Sequence, residues 1–206
     1  MVFPTHILKL ALPVILPALT HTINLSLTQG VFPSVWKHAK VTPLLKPGKE
    51  AIVKSSYRPV SQLMSLSKVL EKIVFNQLSE YLEENKLIHP NHHGGRRGHN
   101  TATAMAQMYD QWVEEVKEGK MVGLMMFDQS SVFDMVEVRS ILMEKLQLLG
   151  LDMTALKWME SFSTDRKQSV CIDGKLSPAL DLEQGLAQGS ILAPLRYVLF
   201  TCERRQ

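Results

Sequence analysis

Hydrophobic positions recur along this chain with two different periods, and the switches between them mark its elements. Between Ser65 and Asn85, Leu66, Val69, Leu70, Ile73, Val74, Leu78, Tyr81 and Leu82 fall at i, i+3 and i+4 spacing, while Lys68, Glu71, Lys72, Glu80, Glu83 and Glu84 take the remaining positions. That stripe predicts a helix with one core face. A second helix is predicted from about Ala102 to Glu118, opened by the capping candidates Asn100 and Thr101 and closed at Gly119. Shorter helices are expected at about Val138 to Leu149 and Thr154 to Ser161, and another at Ile191 to Phe200 that Pro194 would break early. The apolar run Ile7 to Ile23 reads as a core or interface helix. Pro13 and Pro17 interrupt it and Thr20, His21 and Thr22 close it, which leaves it short of the roughly 18 apolar residues of a membrane span. Gln29-Gly30 supplies a C-cap.

Strand signals are fewer. Ala39 to Lys46 reads as a short strand, and Pro43 suggests an edge position because proline cannot donate to a ladder. Pro47-Gly48-Lys49-Glu50 is a turn. Met121 to Phe127 is short, apolar and preceded by a Gly-Lys turn, the pattern of a fully buried strand. Gln168 to Ile172 alternates, Asp173-Gly174 turns, and Leu180-Asp181-Leu182 is expected to pair back as a hairpin. Long helices around a few strands suit an α+β domain better than a doubly wound one.

Composition bounds this picture. A chain of 206 residues, 45% hydrophobic and 21% charged, can build one ordinary core or two small ones, which excludes disorder throughout. A net charge of +3 permits a nucleic-acid partner without requiring one. Distribution says more: residues 1 to 36 carry only Lys9, whereas Lys37, Lys40, Lys46, Lys49, Lys54 and Arg58 follow with Glu50 alone opposing them. Such a strip is either a phosphate-binding surface or a solvated lysine-rich loop. Cys171 and Cys202 are too few for a disulfide framework and too far apart for a metal knuckle, so reduced intracellular thiols are expected.

Three segments carry candidate chemistry. In Leu124-Met125-Met126-Phe127-Asp128-Gln129-Ser130-Ser131-Val132-Phe133-Asp134 an apolar run ends in a carboxylate, which is how a strand brings an acid to the rim of a sheet. Hard divalent cations choose such oxygens, with a backbone carbonyl at Phe127 or Gln129 beside them, although an acid there also suits a helix cap. Gly185-Leu186-Ala187-Gln188-Gly189-Ser190 is a Gly-rich turn whose backbone can approach a ligand closely and whose Gln188 both donates and accepts. Asn91-His92-His93-Gly94-Gly95-Arg96-Arg97-Gly98-His99-Asn100-Thr101 is a basic loop opening a helix, suited to an anion. Its histidines lack the cysteine or acidic partners of a zinc site.

Taken together and in order, these segments resemble the reverse transcriptases of jockey-like, LINE-type (non-LTR) retrotransposons. Asp128, Ser130, Phe133 and Asp134 match the family's Asp-x-Ser-x-Ala-Phe-Asp motif, and Met135-Val136-Glu137-Val138 then departs from its usual continuation. Residues 185–190 match Gly-x-Pro-Gln-Gly-Ser, with Ala187 for proline and Ala193 for a following glycine or serine. The loop at 92–101 matches His-Gly-Phe-Arg-Pro-Gly-His-Ser-Thr, with Gly95 for phenylalanine and Arg97 for proline. Trp36-Lys37 through Lys46, and Ser56-Tyr57-Arg58-Pro59-Val60-Ser61, match two further fingers segments.

The resemblance implies a right-hand polymerase fold of α+β class. Residues 1–36 would be a helical extension of the fingers, 37–118 the fingers, and 119–206 a partial palm. It implies Asp128 as catalytic metal ligand, with the Phe127 carbonyl, for two magnesium ions, manganese being an alternative. Phe133, Arg96, Gln188, Gly189 and Lys46 would contact the nucleotide, and Lys37, Lys40 and Arg58 the nucleic acid. The implied partners are an RNA template, a DNA primer and deoxynucleoside triphosphates, with no membrane, in the cytoplasm and nucleus. No aromatic-x-Asp-Asp segment follows Glu183. The chain is therefore expected to stop before the second catalytic hairpin and the thumb, and to be inactive alone. The alternative is a non-catalytic remnant that binds nucleic acid or a protein partner.

Overall fold

A computed structural model of the chain describes residues 5–127 and 136–201. The long helix α1 (Thr5–Gln29) runs through both Pro13 and Pro17, which corrects the expectation that they cut it short. The two prolines lie one turn apart on the exposed side, so the carbonyls they leave without an amide partner meet solvent. By length and composition Ile7–Gln29 is apolar enough to cross a membrane. Its second half packs against α5 (Met153–Ser163), with Leu19, Ile23 and Ser26 buried. Gly30 ends α1 at φ +67°, and Val31 N donates to Ser26 O across the helix end, the geometry of a glycine C-cap.

Strand β1 (His38–Leu45) is central. It pairs antiparallel with β2 (Tyr57–Gln62) and parallel with β3 (Arg166–Ile172), and β3 also pairs with β4 (Lys175–Leu176) and β5 (Leu180–Leu182). Pro43 is therefore not on an edge strand. It escapes the usual exclusion because the β3 pairing covers only His38 to Val41, and because Pro43 faces Pro59 across β2. Two prolines can oppose one another only at a pair that exchanges no hydrogen bonds. The turn at Asp173-Gly174 has φ of 48° and 78°, as a two-residue hairpin requires.

Helix α2 (Ser65–Glu84) follows the predicted stripe, with Leu70, Leu78 and Leu82 buried. Helix α3 (Thr101–Lys117) opens with the Asn100–Thr103 capping box but buries no residue. A π-helical turn (Val138–Leu142) leads into α4 (Met143–Leu148). The last helix, α6 (Ala193–Thr201), carries Pro194 in its first turn rather than breaking there, since the first turn has no amide bond for proline to lose. The main core joins Leu19, Ile23, Leu70, Leu78, Leu82, Leu142, Leu146 and Leu195 to an aromatic group of Phe32, Trp36, Trp158 and Phe162. Trp158 and Phe162 stack with centroids 5.4 Å apart, and Phe32 meets Phe162 edge-on at 5.0 Å.

Met121 to Phe127 does not form the expected strand. It makes no ladder with any described strand, and Met121, Met126 and Phe127 are 101%, 84% and 82% exposed. Apolar composition makes burial favourable, but a strand also needs a neighbour to take its backbone groups, and β3 already has partners on both sides.

Candidate nucleic-acid and nucleotide interface

The edge of β2 is where distant segments meet. The register that lets Pro43 face Pro59 makes the pair two residues on, Val41 and Ser61, another that exchanges no ladder bonds. Ser61 therefore turns its backbone N–H outward, and it donates to Gln188 O at 2.9 Å. A Cβ on Gly189 would lie 2.4 Å from Ser61 O, and Gly189 has φ +113°, so only glycine fits this approach. The close approach that the Gly-rich turn predicts is thus made to a strand of the protein itself. At the other end of the loop, Gly185 N donates to Val136 O at 3.1 Å.

A side chain missed by the sequence reading holds this loop. Glu71, assigned there to the polar face of α2, is fully buried. Its Oε2 accepts from Ser190 Oγ at 2.6 Å and Ile191 N at 2.8 Å, and its Oε1 accepts from Ser67 Oγ at 3.0 Å. The available signal was position: Ser67, Glu71, Val74, Leu78 and Leu82 form one i+3/i+4 row, so an acid stood within the core stripe. Two buried arginines feel this carboxylate. Burial, with Arg166 beside it, pushes Arg196 down to about 9, while Glu71 pulls the other way. Burial also lowers Arg166. Both guanidiniums lie over the Phe162 ring, at 4.9 and 5.3 Å from its centroid. Arg196 also donates to Ser163 Oγ and Arg166 to Phe162 O.

The basic loop packs against the start of α6, where a Cβ on Gly95 would lie 3.5 Å from Pro194 Cβ. Arg96, the candidate triphosphate ligand, already grips a carboxylate: Nε and Nη2 donate to Glu83 Oε1 and Oε2 at 2.6 and 2.7 Å. Its Nη1 donates to the carbonyls of His89 and His92. The hydrogen bond from Arg96 holds the Glu83 carboxyl below its usual range. Burial lowers His92. His93 contacts Thr103 Oγ1 and Gln107 Oε1, tying the loop to α3.

The remaining candidates are spread out. Lys40 and Arg58 share one face of the β1–β2 ladder, opposite Gln62 and Leu44 respectively. Arg58 is exposed and Lys40 half-buried. Lys46 stands beyond the far end of β1, about 16 Å from Val41 at the usual strand rise, and its Nζ donates to Ser55 O. Lys37 is buried, and burial lowers its pKa against the pull of Asp165. Phe127 is exposed, while Asp128 and Phe133 lie outside the described residues, as do Ser130 and Asp134. Among the described residues no cluster of His, Cys, Asp or Glu could hold a metal ion.

This geometry joins the Gly-rich loop to β2 and sets the basic loop against the same helix that the Gly-rich loop enters. A sequence profile for the family described as reverse transcriptase (RNA-dependent DNA polymerase) matches residues 44–203, and the chain belongs to that family. Among similar curated proteins, the RNA-directed DNA polymerase from mobile element jockey of Drosophila funebris is 32% identical over 180 residues, 87% of this chain and 19% of that protein. The probable RNA-directed DNA polymerase from transposon BS of Drosophila melanogaster is 28% identical over 87% of this chain and 20% of its own length. The probable polymerase from transposon X-element of the same fly is 26% identical over 91% of this chain and 20% of its own length. The jockey-like, non-LTR resemblance is thereby met, and the mixed α+β architecture agrees with it. The chain spans about a fifth of the length of these relatives. Lys37 and Lys40 fall outside the matched residues, whereas Lys46, Arg58, Arg96, Asp128, Phe133, Gln188 and Gly189 fall inside them.

Proposed function

We propose that the chain is the fingers and part of the palm of a mobile-element RNA-directed DNA polymerase. In this reading Asp128 holds the magnesium ions, Phe133 and the Gln188–Gly189 loop receive the incoming nucleotide, and Arg96 meets its triphosphate. Lys40, Arg58 and Lys46 line the nucleic-acid path. The ions would lower the pKa of the primer hydroxyl and offset charge on the phosphates. The chain's own residues would orient the nucleotide and neutralise its charge. Complete catalysis then belongs to a longer chain that adds the rest of the palm and the thumb, working in the cytoplasm and nucleus.

The observation that supports this most is the docking of the Gly-rich loop on β2 through Ser61 N and Gln188 O. Two segments that resemble separate family motifs, far apart in sequence, share one backbone hydrogen bond. A specific observation favours the other reading, a binding module without chemistry: Arg96 is already engaged by Glu83.

Primer extension on an RNA template tests the proposal. A longer chain containing these residues should extend the primer with magnesium, and Asp128→Ala should abolish extension while leaving template binding in place. This chain alone should bind primer–template with an affinity that falls by roughly 0.9 log units per phosphate contact for each tenfold rise in salt, the slope of a duplex. Extension that survives Asp128→Ala would overturn the catalytic assignment, and salt-insensitive or absent binding by folded protein would overturn the interface.

A further inference from the structure

We propose that Glu71 is the positioning residue of the Gln188–Gly189 loop, its buried carboxylate setting the loop on the edge of β2 in the form that receives the template–nucleotide pair. This rests on the polymerase reading above and adds to it a residue outside every motif that carries the resemblance.

Burying a carboxylate is costly, and an apolar side chain at position 71 would pack the core at least as well. What the acid adds is direction. Its two loop-facing hydrogen bonds end on Ser190 and Ile191, the residues that follow Gly189. Ser190 Oγ in turn accepts from Leu192 N at 3.2 Å. The amides that lead into α6 are thus capped by an anion borrowed from α2, where the helix dipole also favours negative charge. On the other side of Gly189, Gln188 O is held by Ser61 N. Both flanks of the glycine are pinned, and its φ of +113° and its contact with Ser61 O leave the loop little freedom between them. Charge-assisted bonds to a carboxylate are roughly twice as strong as neutral ones, so the loop is held most firmly on the Glu71 side.

The test compares Glu71→Gln, Ser190→Ala and Ser67→Ala in the full chain. Hydrogen exchange is read at the Ser61, Ser190 and Ile191 amides and in β3, and primer–template retention is measured with and without the next complementary deoxynucleoside triphosphate. Glu71→Gln and Ser190→Ala should speed loop exchange by about tenfold or more, leave β3 protected, and weaken nucleotide-dependent retention by a similar factor. Ser67→Ala touches the same carboxylate from its own helix and should leave loop exchange within about twofold. If Glu71→Gln does not fold, Ser190→Ala decides, because it leaves the buried carboxylate in place and removes only the bonds of the loop's own hydroxyl, to Glu71 and from Leu192 N. Unchanged loop exchange in Ser190→Ala, or equal loosening in Ser67→Ala, overturns the positioning role. Faster loop exchange with unmoved nucleotide-dependent retention overturns the link to the ligand. A wild-type chain showing no nucleotide-dependent retention overturns the assignment of this loop to the incoming nucleotide, while exchange still judges Glu71.

Discussion

The Gly-rich loop at 185–190 and the basic loop at 89–99 both bend around glycines, both abut α6 and both are fastened to α2 by a glutamate, yet the two fastenings differ in kind. Glu71 is fully buried and grips hydroxyls and a backbone amide. Glu83 is 38% exposed and grips the Arg96 side chain, itself 14% exposed. A buried carboxylate that loses its partners is left uncompensated, so its contacts are strong and slow to exchange. An ion pair open to water is worth little to stability and can trade one anion for another. The first arrangement suits a loop whose shape must be ready before the ligand arrives. In the proposed polymerase reading, the second suits a cation that would pass from a carboxylate to a phosphate.

Breaking the buried fastening should have the largest effect. Glu71→Ala strips the acceptor from the Ser67 and Ser190 hydroxyls and the Ile191 amide, and removes the anion that Arg166 and Arg196 feel. A loss of about 3–5 kcal/mol of folding stability is expected, measured from denaturant midpoints at constant slope. Next comes Gly189→Ala, which combines an unfavourable φ with a clash against the Ser61 carbonyl. It should cost about 1–3 kcal/mol or release the loop, read from the same midpoints and from exchange at Ser61. Gly48→Ala is its control: φ there is +69° but nothing lies within 4 Å, so only the backbone term of about 1 kcal/mol applies.

How much of this was legible from sequence depends on how local the cause is. The α2 stripe, the Asn100 cap, the Gly30 C-cap and the Asp173-Gly174 turn each follow from a few neighbouring residues, and each is found in place. Glu71 was misplaced because side-chain type outweighed its position in the stripe. Pro43 was half read: proline does sit where a ladder bond is missing, but register with Pro59 and the short β3 pairing supply that condition inside the sheet. Met121 to Phe127 failed as a strand because composition speaks of burial and is silent about the neighbour that must complete the ladder. In the candidate site, the glycines of residues 185–190 were legible as a close approach. That the approach is to Ser61 depends on strand register, which no short motif contains.

The exposed fastening offers a smaller stability effect but a sharper functional one. Arg96→Ala and Glu83→Gln should each cost about 1 kcal/mol or less, since the pair is partly solvated. Their effects on binding should have opposite signs. Arg96→Ala removes the cation and should lower affinity for tripolyphosphate. Glu83→Gln removes the competing negative charge and should raise that affinity severalfold at low salt, as followed by calorimetric titration. If both variants weaken binding alike, Glu83 orients Arg96 for its ligand instead of competing for it, and the contrast between the two loops narrows.

Acid is the mildest way to loosen the exposed fastening. Arg96 holds the Glu83 carboxyl below its ordinary value of 4.5, the value taken for the unfolded chain. A carboxylate whose pKa is depressed in the folded state adds stability that is fully present above the unfolded value and is lost as pH falls through the folded one. The grip on Arg96 should therefore be constant from neutrality down to about pH 5 and weaken below the unfolded value. Exchange measured at the His92 and His99 amides should then rise in acid in the wild-type chain, whereas Glu83→Gln, which has no carboxylate to protonate there, should show no such acid step. An acid step that persists in Glu83→Gln, with the rest of the fold still protected, would show that a group other than Glu83 carries it.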